Sequence, residues 1–266
     1  MADLRHGKCS VRPNLLAGEY DCWQSGGMRF SLLLAFTVCA TAQVPDKFTN
    51  LQVVPKDISK PALISMMRGF SFSLGARCVD CHVGKDTPNL EGVDFAADDK
   101  ETKKTARAML RMVAAINNDY VSKLASASGT RVDCATCHHG LKKPRTLQAA
   151  LTEELEKKDL PAGIALYRDL KKQYYGGAQY DFTEASLNQL TESLLQKRQT
   201  KEAAAFMELN AENTTMTRWG KNLLAMAHKA NGETDKAIAD FQKIVEANPN
   251  DAWAKQQLEE LKSAKK

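Results

Sequence analysis

From Phe30 to Val38 the chain is nearly unbroken in apolar residues, with Arg29 before the run and Ala40-Thr41-Ala42 after it. The run is too short to cross a bilayer as a finished helix, and its flanks are those of a secretory leader. Residues 28–42 are therefore expected to be a signal peptide, cleaved before Gln43. Residues 1–27 show neither helical nor strand periodicity and are read as a spurious or disordered extension, with translation starting at Met28. Thr37 and Val38 make a poor lipidation signal ahead of Cys39.

Past the leader the pattern turns helical. In "DISKPALISMMRGFSFSLGARC", Leu63, Met67, Phe70 and Leu74 fall on one helical face. Ser59 is placed to cap that helix, Pro61 is tolerated in its first turn, and Gly75 ends it three residues before Cys78. A second helix is predicted in "KKTARAMLRMVAAINNDYVSKL", where Ala106, Met109, Leu110, Val113, Ile116, Tyr120 and Leu124 form a broad apolar face. Asp98, Asp99 and Glu101 supply negative charge at its start. A loop then leads to Cys134, so the plan of helix, loop and cysteine motif occurs twice.

Beyond Pro144 the residues are mostly Leu, Ala, Glu, Lys and Gln. "TDKAIADFQKIVEANPND" places Ala237, Phe241 and Pro249 as the tail of a tetratricopeptide repeat does, and "TKEAAAFMELNAENTT" puts Ala203 and Met207 in equivalent places 34 residues earlier. "LPAGIALYRDLKKQYYGG" reads as a looser third copy. Leu224, Ala225 and His228 stand in a degenerate first-helix signature, and His228 is read as a packed or exposed repeat residue. The expected fold is all-α: a small domain of helix, loop and cysteine-motif units over 43–146, followed by a tetratricopeptide-like helical domain over 147–266.

Composition narrows the class. The chain has 266 residues, 43% of them hydrophobic and 26% charged, with a net charge of +5. That excess is too mild and too scattered to argue for nucleic acid. Removing residues 1–42 also removes Cys9, Cys22 and Cys39. The four cysteines that remain all lie in "CVDCH" and "CATCH".

In Cys-x-x-Cys-His, two thiols one turn apart add to the vinyl groups of haem and the adjacent histidine ligates the iron. Cys78, Cys81, Cys134 and Cys137 are thus candidate covalent attachment sites for two c-type haems, and His82 and His138 candidate proximal ligands. Three other readings compete. A thioredoxin-like dithiol needs a β-rich run before it, and neither motif has one. A disulfide does not account for a histidine at the same offset twice. A four-cysteine zinc site needs its pairs closer together than Cys81 and Cys134 are. For the sixth iron position only His139 and His228 remain among the histidines after residue 42, so methionine is the natural alternative. Met67 lies on the apolar stripe of the first helix, while Met109 and Met112 both border that of the second.

"PKDISKPALISMMRGFSFSLGARCVDCHVGK", "ETKKTARAMLRMVAAINNDY" and "CATCHHG" together resemble the multihaem cytochrome c subunit of photosynthetic reaction centres and its non-photosynthetic relatives. The resemblance covers about residues 48–146. It implies that a methionine on the helix before each motif is the distal ligand, which assigns Met67 to the first haem and Met112, rather than Met109, to the second. The family subunit carries four haems, whereas this chain has motifs for two. The function expected is electron transfer by an exported, periplasmic carrier and not an enzymatic reaction. Its partners would be electron-donor and electron-acceptor proteins, among them a membrane-bound redox complex docked through the C-terminal repeats. The competing classes are a peroxidase-like dihaem enzyme, which needs an open iron site with acid–base groups above it, and a redox sensor or scaffold.

Overall fold

Ser59 accepts a hydrogen bond from Ala62 N and starts helix α1, Lys60–Leu74, which Gly75 closes in the left-handed conformation. The computed structural model describes residues 44–124, 126 and 129–265. The expected leader, the stretch before it and Cys39 lie outside the described residues. After α1 come α2 (Cys78–Cys81), α3 (Glu101–Ala115), a π-helical turn over Ile116–Tyr120, a 3-10 turn over Val121–Lys123, and α4 (Cys134–His138). Seven longer helices follow: α5 (Leu147–Lys157), α6 (Leu160–Tyr174), α7 (Glu184–Gln196), α8 (Thr200–Asn213), α9 (Arg218–Ala230), α10 (Thr234–Ala247) and α11 (Ala252–Ala264). The fold is all-α, and among the described residues the only β pairing is an isolated bridge between Val83 and Asp94.

From α7 onward the helices keep the 34-residue period. Glu184, Arg218 and Ala252 start alternate helices, and Thr200 and Thr234 start the partners between them. The small and large residues of the repeat form the core, since Ala203, Met207, Ala237 and Phe241 are all fully buried. The looser third copy is out of step. α6 starts at Leu160, six residues too early for the period, while α11 falls into it. Instead α5 pairs with α6 and packs on its own account against α7. Leu147, Leu151, Tyr167, Leu187 and Phe206 join in one core there. Gly163 lets side chains of α5 and α8 come close to α6, because a Cβ on it would lie 2.9 Å from Leu155 Cδ2 and 3.3 Å from Phe206 Cζ.

The N-terminal segment is built differently. Among described residues 44–146, Leu63 is the single fully buried apolar side chain. The predicted face of α3 is present but not buried against protein: Met109 and Met112 are 41% and 46% exposed, and Tyr120 and Leu124 more so. Asp98 does not act as a free charge at the start of α3. It forms ion pairs with Lys103 at 3.2 Å and Arg107 at 2.8 Å on the helix itself. Those two cations hold its carboxyl far below the ordinary carboxylate range, Arg107 foremost.

Candidate haem-attachment sites

The two Cys-x-x-Cys-His segments are short helical turns closed by the same device. In the first, Arg77 N donates to Asp80 Oδ2 at 2.7 Å. In the second, Asp133 Oδ1 accepts from Thr136 N at 2.9 Å, while Thr136 Oγ1 accepts from Asp133 N at 3.0 Å. Asp80 and Thr136 both precede the second cysteine of their motifs, so the variable residues of each motif fasten the turn that presents the thiols. The sequence signal was available in these N3 residues of a capping box, though the cysteines overshadow it.

The segments interlock. α1 packs against α4, the turn of the other motif, and the start of α3 packs against α2. Gly140 N donates to Ser73 O at 2.8 Å, and Lys142 pairs with Asp80 at 2.8 Å. Gly75 has φ +57, and a Cβ on it would fall 2.2 Å from Gly140 O, so only glycine fits there. From α3, Thr102 Oγ1 donates to Asp80 O at 2.5 Å and Lys100 Nζ donates to Val79 O. The duplication read in the sequence is therefore one interlocked body, in which each long helix braces the other unit's motif.

The histidines stand in unlike settings. His138 Nδ1 lies 2.7 Å from Leu141 O. A carbonyl only accepts, so Nδ1 carries the proton and Nε2 is left as the iron-binding nitrogen. His82 Nδ1 is buried with no hydrogen-bond partner, and its ring meets Phe95 edge-on with centroids 5.0 Å apart. Burial, and then the Lys103 charge, push the His82 imidazole below its ordinary value, so it is neutral and fit to donate an electron pair. Lys103 is itself buried. Its Nζ donates to the carbonyls of Phe95 at 2.9 Å, Ala96 at 3.1 Å and Ala97 at 2.7 Å, which fixes the loop carrying Phe95.

A further positioning residue, Asn117, is absent from the sequence reading. It lies in the π-helical turn after α3, is buried, and pairs with Val132 in both directions. Its Nδ2 donates to Val132 O at 2.7 Å and its Oδ1 accepts from Val132 N at 2.9 Å. The chain is thereby pinned two residues ahead of Cys134. A π-turn is rare and often marks a functional site, but no periodicity in the sequence reveals it.

The four cysteines are free thiols. Burial raises Cys81 and Cys134 above the ordinary thiol value, the opposite of the lowered pKa that activates a redox dithiol. Among the described residues no three of His, Cys, Asp or Glu gather into a metal-binding group, so the two pairs do not converge as one zinc site would require. The chemistry of the donors fits haem: two attachment thiols and one neutral imidazole per motif. So does the apolar surface around them, because a single buried leucine cannot offset the ordering entropy of some hundred residues. Met67 lies half-buried on α1, and Met109 and Met112 lie exposed on α3. His228 is far along the chain on α9, buried between Asp240 and Glu208.

Residues 87–214 match the family described as photosynthetic reaction centre cytochrome C subunit. This segment, just under half of the chain, is similar to that family. The match starts beyond "CVDCH", includes "CATCH" and runs through α8, so it crosses from the haem-binding segment into the helical array. A curated relative, cytochrome c-554 of Chloroflexus aurantiacus, is 34% identical over 90 residues, which cover 34% of this chain and 20% of the relative. The chain thus matches about a fifth of that relative's length.

Proposed function

We propose that the protein is an exported dihaem c-type cytochrome that carries electrons between redox partners. The observation that carries this reading is the contrast within the chain. Residues 147–265 have an ordinary buried core, whereas 44–146 expose their apolar face beside two complete Cys-x-x-Cys-His motifs. A bound haem supplies a reversible one-electron change at its iron. The chain's own part is to hold each imidazole in one tautomer, brace the two motifs against one another and limit water at the ligands.

Met67 on α1 and Met112 on α3 are the proposed distal ligands, with Met109 the alternative to Met112. The helices from α7 to α11 repeat as tetratricopeptide hairpins do and stack into a surface suited to protein contacts, so donor or acceptor complexes are proposed to dock there. No described helix is long and apolar enough to cross a membrane. The proposed location is the periplasm, reached by the leader at 28–42.

The test is an intact mass with a pyridine haemochrome spectrum, on protein exported from a host competent in cytochrome c maturation. Two added haems and a start at Gln43 are expected; an unmodified mass overturns the reading. The reduced protein should resist carbon monoxide. Met67→Ala should admit it at one haem and lower that haem's potential, and an unchanged spectrum would remove Met67 from the ligand set.

A further inference from the structure

The surroundings of His82 and His138 differ in ways that act on iron in the same direction. We infer that the two haem sites have unequal reduction potentials in a fixed order, the site of Cys78, Cys81 and His82 being the higher. The inference rests on the dihaem reading and adds to it the direction of internal electron flow.

The first difference is in the imidazoles. The His138 Nδ1–H donates to Leu141 O at 2.7 Å, which makes Nε2 a stronger electron donor. A stronger donor stabilises ferric iron over ferrous and lowers the potential. His82 Nδ1 is buried and makes no hydrogen bond of good geometry, the Phe95 carbonyl beside it being occupied by Lys103. Its Nε2 gains less of that push.

The second difference is in charge. Lys103 and Arg107 stand beside His82 with side chains only 11% and 12% exposed. A cation held out of water favours the reduced, less positive iron, and burial keeps that effect from being screened. Opposing them are Asp98, whose buried Oδ1 both cations share, and Asp94, which is exposed and occupied by the amides of Ala96 and Ala97. Two buried cations against one buried carboxylate oxygen leave the balance there positive. Around the second motif, Arg131, Lys142 and Lys143 are all exposed, and Lys142 is paired with Asp80.

The third difference is access to water. Cys81 is half-buried, whereas Cys137 is exposed. Water beside a haem stabilises its oxidised form, so exposure at the second motif again lowers the potential there. An electron reaching the pair therefore settles on the haem held by His82, and the more exposed site at His138 is the natural point of entry.

A redox titration of the dihaem protein, followed in its visible bands, tests this. Two resolved one-electron steps are expected. Lys103→Gln should move the upper step to lower potential by about tenfold in the reduction equilibrium, roughly 59 mV for one electron, and leave the lower step in place. Lys103→Arg, which keeps the charge, should restore the upper step. Should loss of the Lys103 bonds to the 95–97 carbonyls prevent folding, Arg107→Gln should give the same shift at smaller size. Two haems titrating as one step, or a variant that moves the lower step, overturns the order while leaving the dihaem reading intact. A haem count below two per chain overturns both.

Discussion

His228 sits where three helices meet, with Nδ1 2.7 Å from Asp240 of α10 and Nε2 3.3 Å from Glu208 of α8. Lys236 adds a bond to Glu208 at 2.7 Å. Burial alone would push the imidazole down, yet the two carboxylates outweigh it and the net shift is upward. A raised value in the folded state means that folding takes up a proton. The stabilisation is complete below the unfolded value of about 6.5 and is lost as pH rises through the higher folded value. The thermal unfolding midpoint of the wild type should therefore fall from pH 6 upward more steeply than that of His228→Gln. Parallel pH profiles for the two proteins would show that the histidine is not the source. This residue was legible as part of a repeat, but its carboxylate partners come from neighbouring helices and no spacing in the sequence announces them.

At the scale of the helix, the period makes paired experiments available. Arg198 and Gly232 occupy equivalent turns before α8 and α10, and both have positive φ, +60 and +77. Glycine adopts that conformation freely, whereas a side chain is strained by about 1–2 kcal/mol. Arg198→Gly is expected to stabilise the protein by about 1 kcal/mol and Gly232→Ala to destabilise it by a similar amount. Urea midpoints at unchanged slope measure both. The helices themselves were readable from local chemistry: Ser59 and Gly75 bound α1 as their residue types imply, and Ala203 and Ala237 mark the helix-to-helix contacts. Three features were not readable. The shift of α6 out of the period depends on how α5 packs. The π-turn at Ile116–Tyr120 is anchored by Asn117 to Val132 across a loop. Asp98 turns back onto Lys103 and Arg107 instead of standing free at a helix start. Each is settled by partners distant in sequence or by a local irregularity without periodic trace.

For the whole molecule, the end of the second motif is continuous with the helical array. Leu141 packs onto the core shared by α5 to α9, and Arg145 reaches Glu153 at 2.8 Å. The Leu141 carbonyl is also the acceptor that orients His138. The family match crosses the same junction. A chain ending at residue 146 is thus expected to lose the setting of His138 before that of His82, and its haem content should fall toward one per chain by pyridine haemochrome. Retention of two would show that the array is dispensable to both sites. The candidate attachment residues could be named from the sequence because covalent chemistry dictates a contiguous motif. The bracing of each motif by the other unit could not, because α1 meets α4 and α3 meets α2 only in the folded chain.

That bracing also has a consequence in time. A chain emerging from its amino end presents Cys78 and Cys81 long before Gly140 and Lys142 exist to meet Ser73 and Asp80. The first pair of thiols therefore waits in an open turn until the last residues of the second motif arrive. In the proposed exported cytochrome, the machinery that forms the thioether bonds has its longest access to the site that ends up the more deeply covered.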